Sequence, residues 1–115
     1  DSGHEMCYNH SQDLLAMYGD MLIATHINDN LGISSFDGVT TWKDDLHLLP
    51  FDGIADWNKN ADRLKKCGYD GILTFELTTK SKPNRRENDK YAAMNPYDYL
   101  TEAYKRACRF GAKFY

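Results

Sequence analysis

The sequence predicts an α/β fold in which parallel strands are covered by helices. Two short apolar runs, residues 21–27 and 71–77, are separated by an amphipathic segment of helical length, residues 56–68. Two strands joined by a helix form a parallel pair with a right-handed crossover. Parallel strands are buried on both faces, which explains why neither run alternates with polar residues. Polar side chains crowd the end of each run, which is typical of strands that end at a functional site.

The chain begins with a polar stretch, residues 1–10, that we predict to be a loop leaving a strand. A short helix is predicted to follow over residues 11–18, with Asn9 or Ser11 as its cap. The first apolar run, residues 21–27, then forms the first complete strand.

A long connection, residues 28–55, follows the first apolar run. Connections of more than about 12 to 15 residues in a compact domain usually carry function. This one contains Phe36 and Trp42 together with Asp45 and His47. Its composition predicts an active-site loop with aromatic walls.

Two further helices are predicted downstream. The first begins after Asp56 as its cap, and its apolar face, which should pack on the strands, consists of Trp57, Ala61, Leu64 and Cys67. The second begins at Asn95 and Pro96, ends at Gly111, and has an apolar stripe made of Leu100, Ala103, Tyr104, Ala107 and Cys108.

Composition limits the classes of protein that fit. A length of 115 residues, with 42% hydrophobic and 27% charged residues, is ordinary for one globular domain. The formal net charge of −3 argues against a nucleic-acid-binding surface, which needs clustered Lys and Arg. Cys7, Cys67 and Cys108 show no CxxC spacing, so neither a disulfide framework nor a thiolate zinc site is indicated, and a cytoplasmic location is predicted. No apolar run approaches the roughly 20 residues that would span a membrane.

Three chemistry-bearing residues lie where predicted strands end or have just ended. In a parallel sheet the carboxyl ends of successive strands meet at one rim, so Asp1, His26 and Glu76 are expected to converge. One imidazole and two carboxylates suit a divalent cation such as Mn²⁺ or Zn²⁺. In an Asp-x-His pair both side chains lie on one side of an extended segment, so Asp45 and His47 would supply either a second site or substrate contacts. His4, near the start of the chain, would likewise supply either a second site or substrate contacts.

Structural alternatives exist for these residues. A single histidine after a strand is commonly a hydrogen-bonded structural residue. An acid inside an apolar strand is seldom buried without a partner, so Glu76 would otherwise pair with Arg85 or Arg86. Asp29 and Asn30 would then only cap the long connection.

Several short motifs, taken together, resemble the last third of the xylose isomerase-like TIM barrels. They are DSGH at 1–4, YGDML at 18–22, HINDN at 26–30, DLHLLP at 45–50, DW at 56–57 and the segment 68–76. That superfamily includes sugar phosphate isomerases and epimerases and the endonuclease IV type of abasic-site nuclease, in AP endonuclease family 2. Such a barrel takes roughly 250 residues and eight strands. The resemblance therefore implies that residues 1–115 are a single partial domain, the last two to three β/α units of a (β/α)8 barrel.

The resemblance also implies roles for the three converging residues. Asp1, His26 and Glu76 match three ligands of a divalent metal ion, which would be Mn²⁺, Mg²⁺ or Zn²⁺. Glu76 further matches one of two carboxylates that remove and return a proton beside the sugar carbonyl, while the metal stabilises the enediolate.

The remaining three motif residues have roles that differ within the superfamily. His4 matches a histidine that contacts substrate in the epimerases and a further metal in the nucleases. Asp45 and His47 match a pair that completes this further metal site in the nucleases. All three are therefore expected to bind either substrate or a second metal.

Three functions follow as hypotheses. The first is a metal-dependent isomerase or epimerase whose partner is a small sugar or sugar phosphate. The second is a zinc phosphodiesterase that acts on abasic DNA, which the net charge disfavours. The third is a catalytically inactive fragment or assembly unit. The 115-residue chain alone is expected to be inactive, and to associate with the missing N-terminal barrel strands or with itself, because open strand edges and apolar surface would otherwise be uncovered.

Overall fold

A computed structural model describes residues 1–8, 12–32 and 39–115 of the chain. The predicted caps Asn9 and Ser11, and Phe36 of the long connection, lie outside these ranges. The helices of the described part are α1 Ser2–Tyr8, α2 Leu14–Tyr18, α3 Trp57–Lys66, α4 Asp89–Ala92 and α5 Pro96–Phe114. A 3₁₀ turn, Gly19–Met21, continues α2.

The predicted α/β fold is wrong. The described residues are 45% helical and contain no β-strand, so they are not the parallel-stranded C-terminal portion of a (β/α)8 TIM barrel. Instead of a ladder, the two apolar runs share one isolated parallel bridge between Ile27 and Phe75. Two backbone hydrogen bonds make it: Ile27 N donates to Thr74 O at 2.8 Å, and Glu76 N donates to Ile27 O at 3.1 Å.

The apolar runs do not form strands because only one of their sides is covered. Ile27 is buried in the core, but Ile23 and Ile72 are 93% and 82% exposed. Parallel strands need neighbours and apolar cover on both faces. In addition, a side-chain oxygen takes the place of a backbone carbonyl as a hydrogen-bond acceptor. Thr74 N donates to Thr25 Oγ1 at 3.0 Å.

The N-terminal stretch, predicted to be a loop, is helical over α1. Asp1 precedes this helix, and its Oδ1 accepts a hydrogen bond from His4 N at 2.7 Å, as a helix cap does. Gly3 lies against a neighbouring side chain, where an added Cβ would come within 1.8 Å of Asn28 Oδ1. The close approach of α1 to the first apolar run therefore requires glycine here.

The helix predicted after Asp56 is confirmed as α3. Lys59 N donates to Asp56 Oδ1 at 3.0 Å, so Asp56 is its cap. Trp57, Ala61 and Leu64 are buried, as the predicted apolar face requires.

The last helix, α5, is confirmed in position but not in orientation. It begins after Asn95, as predicted, but it runs through Gly111 to Phe114. Leu100 and Tyr104 of the predicted stripe are 65% and 72% exposed, whereas the buried face consists of Tyr99, Ala103, Phe110, Gly111 and Phe114. A shift of one residue turns a helix by about 100°, which separates the two faces.

The main core lies between α3, α5 and the two apolar runs. Its buried residues are Ile27, Trp57, Ala61, Leu64, Tyr69, Phe110 and Phe114. The Trp57 and Phe110 rings meet edge to face with centroids 5.0 Å apart, a preferred aromatic geometry. A smaller cluster is formed by Leu49, Tyr91, Tyr99 and Ala103. No helix in the described ranges is both long enough and apolar enough to cross a membrane.

A partly buried ion-pair network joins α5 to the turn that contains Asp52. Arg106 Nη1 lies 2.7 Å from Asp52 Oδ1 and also donates to Pro50 O at 2.9 Å. The Tyr91 hydroxyl donates to Asp52 Oδ2, and Lys90 Nζ lies 3.1 Å from Oδ1. Burial alone would raise the pKa of the Asp52 carboxyl, but the hydrogen bonds from Arg106, Tyr91 and Lys90 outweigh it and lower that pKa below its ordinary value.

Replacing Arg106 with glutamine should lower the unfolding free energy by about 1–3 kcal/mol at neutral pH, the usual worth of a hydrogen bond to a charged group. A carboxyl whose pKa is lowered on folding contributes stability above its unfolded pKa of 3.8 and loses it as the pH falls through the folded value. The difference between parent and variant, measured by urea denaturation, should therefore be full at neutral pH and shrink in acid below the unfolded pKa. Glu102→Gln, which removes only the helical pair to the same arginine, is the control and should cost roughly 0.5 kcal/mol or less. A pH-independent difference for Arg106→Gln would contradict the account.

Candidate functional site

Two isolated bridges bring three segments of the chain to one place, and a hydrogen bond from Ser2 N to His26 O at 2.9 Å adds the start of α1 as a fourth. In the Ile27–Phe75 bridge, one partner follows His26 and the other precedes Glu76. The antiparallel Asp29–Leu48 bridge brings the segment that carries Asp45 and His47 alongside, and α1 contributes its first turn. The six residues that meet, here called the ligand cluster, are Asp1, His4, His26, Asp45, His47 and Glu76.

Of the three predicted metal ligands, His26 lies close to each of the other two. His26 Nδ1 is 2.9 Å from Glu76 Oε2 and 4.0 Å from Asp1 Oδ2. His47 joins them, with its Nδ1 3.6 Å from Glu76 Oε2, and the ligand atoms of Asp1, His47 and Glu76 lie within 4.8 Å of one another. The side chains of His26 and Glu76 are 55% and 44% exposed, so a small molecule can reach them.

The other predicted residues form a second group that shares His47 with the first. Asp45 Oδ2 lies 3.1 Å from His4 Nε2 and 2.7 Å from His47 Nε2. Asp45 Oδ1 is buried and has no hydrogen-bond partner among the described residues. His4 Nδ1 is also 3.2 Å from Asp1 Oδ2, so the two groups are continuous.

The backbone of His47 is in an unusual conformation. Its φ is 47°, in the left-handed region that residues other than glycine seldom adopt. Its carbonyl accepts a hydrogen bond from Thr78 N at 3.3 Å, and its ring Nδ1 lies 3.3 Å from Glu76 O. This conformation places the imidazole between Asp45 and Glu76, where it contacts both groups. Strained backbone of this kind is common at functional sites.

Asn28 also belongs to the site, although its place there was not predicted from the sequence. Asn28 is fully buried, and its Nδ2 donates to both oxygens of Asp1 at 3.2 Å. Ser2 holds its backbone, with Oγ donating to Asn28 O at 2.7 Å and accepting from Asn28 N at 3.0 Å. The available signal was its position two residues after His26, which in an extended segment faces the same side.

Asp29, for which a capping role was the structural alternative, joins the start of the connection 28–55 to its end. It is fully buried, and its carboxylate accepts five hydrogen bonds of 2.8–3.2 Å, from the backbone N–H of Asn30, Phe51, Gly53 and Ala55 and from the indole N–H of Trp57. An added Cβ at Gly53 would come within 2.4 Å of Asp29 Oδ1, so glycine lets the turn close around it.

The structural alternative for Glu76 is wrong. Arg85 lies 2.8 Å from Glu87 and 3.4 Å from Asp44, and among the described residues neither it nor Arg86 pairs with Glu76. Among the described residues, the side chains that pair with the Glu76 carboxylate are those of His26 and His47.

The donor atoms of the ligand cluster fit a divalent cation. Ligands about 2.0–2.2 Å from an ion lie roughly 3–4 Å from each other. The nitrogen–oxygen distances in the cluster run from 2.7 to 4.0 Å. Imidazole and carboxylate together suit Zn²⁺ or Mn²⁺, and the buried Asp45 Oδ1 is an acceptor that still needs a partner. The same distances fit histidine–carboxylate hydrogen bonds, so metal binding stays a prediction.

No protein-family model, curated protein or solved structure matches this chain. The motif resemblance to the xylose isomerase-like superfamily therefore stays a prediction.

Proposed function

We propose that the full-length protein to which these residues belong is a metal-dependent isomerase or epimerase of a sugar or sugar phosphate. The observation that supports this most is the environment of Glu76. Its carboxylate is 44% exposed to solvent and also within 2.9 Å of an imidazole of the ligand cluster. A general base needs this combination of access to substrate and a fixed position.

In the proposed reaction Glu76 removes the proton from the carbon beside the sugar carbonyl. In an epimerase a second carboxylate then returns a proton to the opposite face of the same carbon, and in an isomerase the proton returns to the former carbonyl carbon. Asp1 and His26 would hold a metal ion together with Glu76, and Asn28 fixes Asp1 through two hydrogen bonds. A bound divalent cation would stabilise the negative charge that develops on the enediolate. The side chain of His4 is 45% exposed, and its two ring nitrogens lie 3.2 Å from Asp1 Oδ2 and 3.1 Å from Asp45 Oδ2, so a sugar hydroxyl that bound His4 would replace one of these contacts.

A zinc phosphodiesterase for abasic DNA is the second candidate, and one observation favours it. His4, Asp45 and His47 form a second group of possible metal ligands, as a site with several zinc ions would need. The formal net charge of −3 gives no general attraction for nucleic acid. We therefore rank this function below the isomerase.

Metal titration separates these functions. Calorimetry of the full-length protein with Mn²⁺ and Zn²⁺ should give one ion per chain for an isomerase. His26→Gln should weaken the binding by about 10-fold or more. Glu102→Gln, an acid on α5 that pairs with Arg106, is the control and should bind like the parent. Two or more ions per chain would favour the nuclease, and no binding of either ion would refute both metal-dependent functions.

An assembly role is the third candidate, and exposed apolar residues support self-association of the chain. Met21, Ile23 and Ile72 are 73%, 93% and 82% exposed, and they lie in or beside the two apolar runs. Exposed apolar patches commonly mark interaction sites. Sedimentation should therefore show species larger than the 13.2 kDa monomer, and Ile23→Glu with Ile72→Glu should shift them toward it. A monomeric parent chain at all concentrations would contradict this.

A further inference from the structure

A cavity of about 350 Å³ opens beside the ligand cluster and shares His47 and Glu76 with it. Trp42 and residues 77, 78 and 80–83 provide the rest of its wall. Its volume lies within the range of small-molecule sites, roughly 300–1,000 Å³. A molecule that reacts at Glu76 would extend along this cavity.

Two lysines give the wall of the cavity a positive charge. Lys80 and Lys82 line it, and within the described ranges neither ammonium group has a carboxylate partner at ion-pair distance. Thr78 Oγ1 accepts a hydrogen bond from Lys80 N at 3.1 Å, which leaves its own proton available to donate. Glu76 is the acid among the described lining residues, and it also belongs to the ligand cluster. Two cations therefore remain uncompensated in a chain with a formal net charge of −3.

Hydrogen bonds fix the segment that carries Lys80 and Lys82 to the site. Thr78 N donates to His47 O at 3.3 Å. Asn88 is 2% exposed, and its Nδ2 donates to Leu46 O and to Lys80 O, both at 3.3 Å. These bonds hold the backbone next to the two lysines against the segment that contains His47.

Trp42 is an aromatic residue in the wall of the cavity. Its side chain is 59% exposed, and Lys82 Nζ lies 5.5 Å from the centre of its ring. This cation–π contact holds the ammonium group over the indole instead of in bulk solvent. The indole also offers an apolar surface to the C–H groups of a sugar.

Building on the proposed function, we infer that this cavity binds the phosphate group of a phosphorylated ketose. Lys80 and Lys82 supply the two positive charges, and the Thr78 hydroxyl donates a hydrogen bond. A phosphate dianion matches both cations, whereas a sugar acid would match one and a neutral sugar neither. Charge-assisted hydrogen bonds of this kind are stronger than neutral ones. Binding the phosphate here directs the rest of the sugar toward Glu76.

Calorimetry with three probes tests this inference: fructose 6-phosphate, fructose and glucuronate. Fructose 6-phosphate should bind at least about 10-fold tighter than either of the others, and its affinity should fall with added salt. The double variant Lys80→Gln, Lys82→Gln should weaken its binding by about 10-fold or more and leave fructose binding unchanged. Lys65→Gln is the matched control, because Lys65 is exposed on α3 and does not line the cavity.

Equal affinity for fructose and fructose 6-phosphate would overturn the inference, as would tighter binding of glucuronate or an equal loss in Lys65→Gln. Its failure is distinguishable from failure of the proposed function. If lysine-dependent phosphate binding occurs but no ketose phosphate exchanges a carbon-bound proton with D₂O, the proposed function is wrong and the phosphate site stands. If free ketoses exchange as fast as their phosphates, the function stands and the phosphate site is refuted.

Discussion

Replacing Asp29 with asparagine is expected to lower the unfolding free energy by about 3 kcal/mol. Asparagine keeps the shape of the side chain, but its NH₂ group cannot accept the hydrogen bonds that one carboxylate oxygen now accepts. At least two of the five buried N–H groups then lose their acceptor, and each loss costs roughly 1–3 kcal/mol. Asp29→Ala removes all five bonds, and we expect that chain to show no cooperative unfolding, since a domain has only about 5–15 kcal/mol of stability.

Urea denaturation followed by tryptophan fluorescence in a Trp42→Phe background measures the effect, because the remaining indole, that of Trp57, donates to Asp29. Asp56→Asn is the matched control, since Asp56 is an exposed aspartate with one bond, from Lys59 N. Asparagine caps helices about as well as aspartate, so this variant should unfold like the parent. If Asp29→Asn is no less stable than Asp56→Asn, the hydrogen bonds of Asp29 do not stabilise the connection.

Local signals predicted the helices better than the apolar runs. A helix cap and the residues it serves are neighbours in sequence, so Asp56 and Asn95 marked the starts of α3 and α5 correctly. The buried face of α5 was not predicted, because apolar residues occupy two adjacent stripes and only tertiary packing selects one. A strand depends on partners elsewhere in the chain, and Thr25 shows how a side chain can replace such a partner.

The candidate site was easier to predict than the fold around it. Single bridges at Ile27–Phe75 and Asp29–Leu48 are enough to bring the motif residues together, so convergence did not require the sheet from which it was inferred. The role of Asp29 in joining the two ends of the connection could not be predicted, because four of its five donors lie more than 20 residues away. The helix α1 was missed because its residues show no apolar periodicity, although Asp1 at its start was a capping signal.

Replacing Glu76 with glutamine in the full-length protein should slow exchange of the substrate proton with D₂O by about 10²- to 10⁴-fold. Glutamine keeps the size of the side chain but cannot accept the proton. It also removes a metal ligand, so the assay must be run at saturating metal, where lost affinity is compensated. Incorporation of deuterium into ketoses and their phosphates is the measurement.

His26→Gln separates the two roles of Glu76, because His26 is a proposed ligand that lies 2.9 Å from Glu76 but takes no part in proton transfer. At saturating metal His26→Gln should recover to within about 10-fold of the parent, whereas Glu76→Gln should not recover. The reason is that a ligand that binds ground state and transition state equally affects affinity, while a general base affects the chemical step. Parent-like exchange by Glu76→Gln would mean that Glu76 is only a ligand or a structural acid. Equal, unrecovered losses in both variants would mean that the pair acts as one unit, and the separate role proposed for Glu76 would then be wrong.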